Sequence, residues 1–224
     1  MAAMLDIRLD RVFEGSGLLK ARAIAASVEA LPDSRAEEDA LSRLSQWRRE
    51  KTLALKHPRQ RLLSAGAGMA LDILLQPYGL SERTMSYSLN AHGKPSFRNA
   101  PSLCFNLSHS GSMVAAAIME SDSQTASVGI DIQQLAKFRE GVARRVFSLA
   151  DVQLLTSLPC GERQDRLFTR LWTEYEAKGK AEGTGITWHD AEASDTPANP
   201  DMRCYSLEIA EYYMTLCITH RQII

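Results

Sequence analysis

The stretch WTEYEAKGKAEGTG, residues 172–185, carries charged side chains at alternate positions and ends in two glycines. On a helix, Glu176 and Lys180 lie four residues apart and share one face, whereas Glu174 and Lys178 form a second pair on nearly the opposite face. One pair is accounted for by an ordinary solvated ion pair. The other pair is available to face a ligand, so this stretch predicts a functional helix.

The composition is that of a soluble globular protein. The chain has 224 residues, of which 45% are hydrophobic and 24% charged, and its net charge is −1. So small a net charge creates no strong field for nucleic acid or a membrane surface, and we expect neither partner. The longest apolar runs are too short to span a bilayer. The N-terminus lacks the basic-then-apolar plan of a signal peptide, so we expect a cytoplasmic protein.

The chain has four cysteines, and their spacing does not match a metal site. Cys104, Cys160, Cys204 and Cys217 show no paired Cys-x-x-Cys motif. In a cytoplasmic protein we expect them to be reduced, partly buried thiols.

The first half of the chain is predicted to be one strand followed by helices. Hydrophobic residues alternate with polar ones from Leu5 to Leu9, which predicts a strand. Residues 18–55 are predicted to be helical with a break at 32–34, after which Ser34 with Glu37 forms a capping box.

A further helix is predicted from Pro58 to a stop at Pro77 and Gly79. Gly66 and Gly68 within it have no preceding strand and no following Gly-Lys-Ser. They therefore indicate close helix packing and not a phosphate-binding loop.

The second half is predicted to contain a meander, three helices and a hairpin. Turn signals separate the elements, including a loop at 196–201. The predicted strands are 103–110, 113–120, 125–133, 203–210 and 212–220, and the predicted helices are 135–148, 149–158 and 163–182. Because strands and helices come in separate groups and no repeat is visible, the sequence predicts an α+β fold.

Asp131 is a candidate functional residue because it lies between Ile130 and Ile132 in a strand predicted to be half buried. A buried carboxylate needs a partner, and a bound cation is one possibility. Considered alone, a structural ion pair with Arg144 or Arg145 is the favoured explanation.

Ser108 and His109 are adjacent in a predicted strand, so their side chains point to opposite faces and do not form a simple nucleophile–base dyad. Lys94 follows Gly93 in a turn and precedes Pro95, which is a common loop pattern.

Taken together and in order, five blocks of the sequence resemble one family. They are HGKP (92–95), FNLSHSG (105–111), VGIDIQ (128–133), RRVFS (144–148) and WTEYEAKGKAEGTGI (172–186). They are similar to the signature of the 4′-phosphopantetheinyl transferases of the surfactin-synthetase-activating type. That signature runs Gly-Lys-Pro, Phe-Asn-x-Ser-His-Ser, Gly-x-Asp-x-Glu, then Trp-Ser/Thr-x-Lys-Glu-Ala/Ser-x-x-Lys and Gly-x-Gly. The resemblance covers roughly residues 45–220.

The resemblance implies an intramolecular pseudo-dimer of two similar α+β halves, residues 1–105 and 106–224, with coenzyme A bound in the cleft between them. A monomer is expected, because the pseudo-dimer already supplies both walls of the cleft. The implied reaction moves the phosphopantetheine arm of coenzyme A to a serine of an apo acyl or peptidyl carrier protein and releases 3′,5′-ADP. Positioning and charge neutralisation are the main tasks in such a phosphoryl transfer.

The implied metal is Mg²⁺, held by carboxylates, waters and phosphate oxygens. Asp131, Gln133 and Glu176 match the metal-binding positions of the signature, and Glu176 is also the candidate to accept the serine proton through a water. Lys180, one helical turn on, matches the lysine that stabilises charge developing on the phosphate.

The implied contacts to coenzyme A involve Ser108 and His109 for its phosphates, with His109 near the 3′-phosphate, and Lys94 near the nucleotide. Basic residues before the helix at Pro58 contact the 3′-phosphate in this family, and Arg48 is the residue assigned here. The other basic candidates nearby are Arg49, Lys51, Arg59 and Arg61.

Two positions depart from the signature. Gln133 replaces a metal-ligating Glu, which removes one negative charge and predicts weaker metal affinity without loss of activity. Tyr175 replaces the Lys before Glu176, which bears on the choice of partner more than on chemistry.

Two alternative functions fit the same residues. One is a coenzyme A- or carrier-binding homologue with little turnover, and the other is a Mg²⁺-dependent hydrolase of coenzyme A. Because carrier proteins are generally acidic helical bundles, an active transferase is expected to have apolar and basic residues beside the cleft.

Overall fold

The computed structural model describes residues 5–14, 19–28, 34–121, 123, 126–185 and 200–220. The strands and α-helices within them are β1 (Leu5–Glu14), β2 (Lys20–Val28), α1 (Ser34–Ser42), α2 (Gln46–Leu53), α3 (Pro58–Leu75), β3 (Tyr87–Leu89), β4 (Pro95–Phe97), β5 (Leu103–Ser110), β6 (Met113–Glu120), β7 (Ala126–Gln134), α4 (Glu140–Val146), α5 (Leu149–Ser157), α6 (Glu162–Glu182), β8 (Met202–Ile209) and β9 (Tyr212–His220). The predicted α+β class is confirmed.

Two antiparallel sheets and one short hairpin organise the chain. The first sheet has the strand order β1-β2-β6-β5, the second sheet has the order β7-β9-β8, and β3 pairs with β4 alone. Consequently β5 and β7 are both edge strands, one in each sheet. The site described below lies where these two edges meet.

Apolar side chains of the first sheet point alternately into two cores. One core, which includes Ile24 and Phe105, packs the first sheet against α1, α2 and α3. The other core packs the first sheet face to face with the second sheet through small residues such as Ala23 and Ala115 opposite Ile130 and Leu216. Helix α6 covers the outer face of the second sheet, where Ala177 lies beside Cys217.

The prediction of a helix over the segment that forms β2 is wrong. Alternate residues of β2 are buried on both faces, with Ala21, Ala23 and Ala25 toward the second sheet and Ile24 and Val28 toward the helices. A strand buried on both faces loses its polar–apolar alternation. Its alanine-rich sequence is also that of a good helix former, so the local pattern favoured the wrong element.

The single helix predicted after Ser34 is two helices in the structure. The helix is interrupted between Ser42 and Gln46. The hydroxyl of Ser45 accepts a hydrogen bond from the backbone N–H of Arg48 at 3.3 Å. This N-cap starts α2. The side chain of the predicted capping serine, Ser34, and the predicted loop at 196–199 lie outside the described residues.

The three strands after residue 100 do form, but they are not one meander. β5 and β6 make an antiparallel hairpin, whereas β7 pairs with β9 in the second sheet. The predicted division into 1–105 and 106–224 falls inside β5. Because β5 and β6 both belong to the first sheet, we propose that the boundary between the halves lies after Glu120.

The helices predicted over 149–158 and 163–182 and the C-terminal hairpin form as predicted, whereas the helix predicted over 135–148 is limited to Glu140–Val146. The close packing predicted at the two glycines of α3 is also present. A Cβ atom at Gly66 would lie 2.8 Å from a methyl group of Val28, and one at Gly68 would lie 2.5 Å from Cδ of Arg48. No helix in the described part of the chain is long and apolar enough to cross a membrane.

The expectation of four reduced cysteines is wrong for two of them. Cys204 and Cys217 are directly opposite each other on β8 and β9 and form a disulfide. The reason is the register of the hairpin, which sequence spacing alone does not reveal. Cys104 and Cys160 are free thiols.

Helix α6 approaches β7 closely at Gly129. A Cβ atom there would lie 2.1 Å from the carbonyl oxygen of Ala177 and 2.4 Å from the amide nitrogen of Ala181. Both atoms belong to the helix backbone, which has little freedom to move. The close approach places the α6 residues Glu176 and Lys180 beside the β7 residue Asp131.

We expect Gly129→Ala to lower the free energy of unfolding by about 1–3 kcal/mol, because the added methyl group overpacks this contact. The matched control is Gly141→Ala in α4, where a Cβ atom would meet nothing within 4 Å. Alanine is the better helix former, so the control gains up to about 1 kcal/mol. Urea unfolding measures the free energy of unfolding of both variants. Equal free energies for the two variants would contradict the close contact at Gly129.

Candidate active site

The two charged pairs of α6 have different environments. Lys178 donates a hydrogen bond of 2.7 Å to Glu174 on the outer surface. Lys180 instead reaches across to β7, where its Nζ atom lies 2.6 Å from Oδ1 of Asp131. The solvated pair is therefore Glu174–Lys178, and Glu176 with Lys180 face the second sheet.

Asp131 is buried, with a side chain 7% exposed, and its partner is a lysine. Oδ1 accepts hydrogen bonds from Lys180 Nζ and, at 2.7 Å, from the hydroxyl of Ser108. The alternative of an ion pair with Arg144 or Arg145 is wrong, because the ion pair of Asp131 is with Lys180, while Arg144 pairs with Glu140 one turn earlier on α4. The site thus joins β5, β7 and α6.

The second oxygen of Asp131, Oδ2, is buried and has no hydrogen-bond partner among the residues that the structure describes. A buried carboxylate oxygen without a partner is costly unless a ligand satisfies it. Glu176 lies near enough that burial, together with the Asp131 charge, raises the pKa of its carboxyl, while Lys180 opposes this shift. Two carboxylates in a desolvated site suit a hard divalent cation.

Gln133 is half buried on the same face of β7 as Asp131. Its amide oxygen is a further oxygen donor on this face, and its role as a metal ligand stays a prediction. Among the described residues no group of three or more His, Cys, Asp or Glu side chains could hold a metal. Gln133 thus has an amide at the position where the family signature has a third carboxylate.

β5 faces β7 with polar side chains at every second position. Backbone N–H groups of β7 donate to these side chains: Ile130 to Asn106 at 2.9 Å, Ile132 to Ser108 at 3.3 Å and Gln134 to Ser110 at 3.1 Å. Each pair is separated by 24 residues, so the two strands run parallel with one constant offset. We call these three contacts the β5–β7 seam.

The seam includes two residues that our sequence interpretation missed, Asn106 and Ser110. The alternation of Phe105 and Leu107, which pack toward the helices, with Asn106, Ser108 and Ser110 was the available signal. That pattern was used only to predict a strand.

His109 points away from the seam, as predicted from its position beside Ser108. Its side chain is exposed, while Ser108 is buried and bonded to Asp131. Partial desolvation and the charge of Lys180 lower the pKa of His109, and the Asp131 charge opposes them. We call Asp131, Glu176 and Lys180 the charged cluster. His109 is therefore close to this charged cluster without forming a dyad with Ser108.

Lys94 connects the β3–β4 hairpin to the second half of the chain. Its Nζ atom donates to Ser127 Oγ at 2.6 Å, Ala181 O at 3.1 Å and Val128 O at 3.2 Å. An ammonium group has three N–H donors, so these contacts use all of them. Lys94 thus ties β7 and the end of α6 together, and its contact with the nucleotide stays a prediction.

A cleft of about 870 Å³ opens beside Lys94. Its walls come from β4, β5, β7, β9 and the end of α6, and include polar residues such as Asn90, Ser127 and Thr219. Phe97 and Phe105 also border the cleft, but their side chains are buried in the first core.

Arg48 does not lie with the other predicted site residues. Its side chain is buried within the first half of the chain, where Nε donates to Oε1 of Glu82 at 2.9 Å. The rings of Trp47 and Tyr87 cover its guanidinium group at 5.7 and 5.6 Å. This placement does not support the predicted contact with coenzyme A, and it explains Arg48 as a core ion pair.

Of the other basic candidates, Arg59 lies nearest to the seam. Its Nη2 atom donates at 3.1 Å to the carbonyl oxygen of Gly111, in the turn that follows β5. Arg61 pairs with Glu37 on α1. Sequence order alone did not distinguish these arginines, because their burial depends on the packing of α2 against α3.

Comparison with known proteins identifies the family of the chain. A family model described as the 4′-phosphopantetheinyl transferase superfamily matches residues 127–217. The 4′-phosphopantetheinyl transferase psf-1 of Bacillus pumilus is 35% identical over 166 residues, which cover 68% of this chain and 68% of that protein. The chain belongs to the 4′-phosphopantetheinyl transferase family.

Other members of the family show the same level of similarity. The transferase ffp of Bacillus subtilis is 31% identical over 158 residues, covering 70% of this chain and 68% of that protein. The transferase Sfp of Bacillus subtilis strain 168 is 30% identical over 148 residues, covering 66% and 63%. The surfactin-synthetase-activating type recognised in the sequence motifs is thereby confirmed.

Tyr175, which replaces the lysine of the family signature, lies on a different face of α6 from Glu176. Its ring packs 5.0 Å from the ring of Phe147. Its hydroxyl accepts the N–H of Ser148 at 2.8 Å and donates to Oδ2 of Asp151 at 2.9 Å. Tyr175 therefore attaches α6 to the start of α5 and leaves the charged cluster unchanged.

We expect Arg48→Ala to lower the free energy of unfolding by about 3–5 kcal/mol, because it leaves the fully buried Glu82 without its cation. The control is Arg49→Ala, which changes an exposed neighbour and shifts stability by less than about 0.5 kcal/mol. Chemical unfolding measures both. An Arg48 variant as stable as the control would contradict the core ion pair.

Lys94 makes stability depend on pH. Burial lowers the pKa of Lys94 from 10.5 to about 8, and the neighbouring Cys104 opposes the shift only when ionised. Between these values the unfolded chain binds more protons than the folded protein, so raising the pH stabilises the fold. We expect the unfolding free energy of wild type minus that of Lys94→Met to rise from pH 8 to pH 10.5. A difference that stays flat across this range would contradict the lowered pKa.

Proposed function

We propose that the protein transfers the 4′-phosphopantetheine arm of coenzyme A to a serine of an apo acyl or peptidyl carrier protein. The serine oxygen forms a bond to the pantetheine-side phosphorus, the bond from that phosphorus to the bridging oxygen breaks, and 3′,5′-ADP leaves. Family membership and the unsatisfied Oδ2 atom of Asp131 beside Lys180 support this reaction.

Asp131, Glu176 and Gln133 would hold Mg²⁺. When bound, the ion would neutralise charge on the pyrophosphate. The oxygen donors fit, because Oδ2 of Asp131 has no protein partner and Glu176 faces the same desolvated space. With one amide in place of a carboxylate, we expect weaker affinity for the metal than three carboxylates would give.

The chain's own side chains provide the remaining charge and proton handling. Lys180, held by Asp131, places a positive charge beside the phosphate to be transferred. The raised pKa of Glu176 brings its carboxylate closer to the basicity required to accept the serine proton, directly or through a water. Glu176 thus serves as a metal ligand or as the base.

Coenzyme A would lie in the cleft beside Lys94. The cleft has room and hydrogen-bonding groups for the nucleotide, and His109 lies at the exposed side of the cluster formed by Asp131, Glu176 and Lys180, where phosphates would be. Lys94 would support the cleft through its contacts to β7 and α6.

An acidic carrier protein would dock on helices α4 and α5. Arg145 of α4 is exposed and Leu149 and Leu154 of α5 are 57% and 50% exposed, so basic and apolar groups lie side by side. Electrostatic complementarity of this kind speeds and orients association. We further propose that the protein acts as a cytoplasmic monomer, without nucleic acid or membrane as a partner.

The test is intact mass spectrometry of apo carrier proteins incubated with the protein, coenzyme A and Mg²⁺. We expect the carrier to gain one phosphopantetheine and a chelator to prevent the gain. Asp131→Asn and Glu176→Gln should each reduce the rate by about 10²-fold or more. The control Glu174→Gln, on the solvated face of the same helix, should retain the rate.

Two outcomes would reject the proposal. If calorimetry shows coenzyme A binding but no carrier gains mass, the protein is a binding homologue with little turnover. If phosphopantetheine accumulates without a carrier, the protein is a hydrolase of coenzyme A.

A further inference from the structure

Ser108 differs from the other two residues of the β5–β7 seam. Asn106 and Ser110 each accept one backbone N–H from β7. The hydroxyl of Ser108 accepts the N–H of Ile132 in the same way, but it also contacts Lys180 Nζ at 3.2 Å and Asp131 Oδ1 at 2.7 Å. Ser108 is therefore the point at which the seam meets the charged cluster.

The direction of the Ser108 hydroxyl proton follows from its neighbours. A serine hydroxyl has one proton to donate and two lone pairs to accept hydrogen bonds. The amide of Ile132 and the ammonium of Lys180 are both donors, so they occupy the lone pairs. The proton is left for Oδ1 of Asp131, the one acceptor among these contacts.

These contacts give the two oxygens of Asp131 different hydrogen-bonding environments. Oδ1 accepts hydrogen bonds from both Lys180 and Ser108, whereas Oδ2 is buried and accepts none from the described part of the chain. The carboxylate is held at one oxygen while the other remains available. Rotation of the carboxylate would break the short contacts at Oδ1.

We propose that Ser108 is a positioning residue, which holds the Asp131 carboxylate so that Oδ2 is presented to the bound divalent cation. This inference rests on the proposed metal site, and it differs from the contact with coenzyme A phosphates expected from the sequence. Side chains that hydrogen-bond to a metal ligand and orient it typically change metal affinity by about 10–100-fold when removed.

The experiment measures Mn²⁺ binding to the full-length protein by electron paramagnetic resonance, with and without coenzyme A. We expect Ser108→Ala to raise the dissociation constant for Mn²⁺ by about 10–100-fold. Ser108→Cys keeps the side-chain volume with a weakly hydrogen-bonding thiol and should show a loss in the same direction. Ser108→Thr keeps the hydroxyl and should restore binding.

The matched control is Ser110→Ala, which removes a contact of the same kind to the N–H of Gln134 and does not touch Asp131. We expect it to lower stability by an amount similar to Ser108→Ala without changing Mn²⁺ affinity. If the seam were purely structural, Ser108→Ala and Ser110→Ala would change Mn²⁺ affinity to the same extent. Circular dichroism establishes that each variant is folded before binding is compared.

The outcomes separate this inference from the proposed function. Wild-type affinity in both Ser108→Ala and Ser108→Cys, or equal losses in Ser108→Ala and Ser110→Ala, would overturn the positioning role alone. Absence of Mn²⁺ binding by the wild type would overturn the metal site and this role together. The expected pattern of Mn²⁺ binding without transfer to any carrier would support the positioning role and reject the transferase.

Discussion

A single buried carboxylate, Asp131, holds three parts of the molecule in register. It lies on the edge strand of the second sheet. It accepts a hydrogen bond from the ammonium group of Lys180 on α6 and another from the hydroxyl of Ser108 in the first sheet. A charge removed from water requires such compensation, because an unpaired ion in the interior is strongly destabilising. The geometry of the candidate site is therefore also the geometry that connects the two sheets.

The two sheets meet without a shared backbone ladder, which explains why a cleft exists at their junction. Side chains of β5 satisfy the N–H groups of the β7 edge, and the ammonium groups of Lys94 and Lys180 satisfy carbonyl oxygens of the same edge. Edge strands otherwise present unpaired groups that attract other strands. Using side chains instead of a strand protects the edge and leaves room for a ligand beside it.

The two departures from the family signature affect different functions. Gln133 changes the charge of the oxygen donors around Asp131 and so bears on the metal. Tyr175 anchors α5 through Ser148 and Asp151, on a face of α6 that does not reach Asp131. One substitution therefore lies at the proposed metal site and the other at the surface proposed for a carrier protein.

The resemblance of five sequence blocks to one family predicted the family and placed Asp131, Glu176 and Lys180 in one site, and local periodicity predicted the α+β class and most elements after residue 57. The local pattern did not identify β2 as a strand, since burial on both faces removes the period that distinguishes a strand from a helix. Three further contacts follow from the folded structure and from no sequence pattern: Cys204 meets Cys217, Arg48 is buried against Glu82, and Ser108 binds Asp131. Each of these contacts joins residues brought together by strand register or helix packing, which depend on the whole chain.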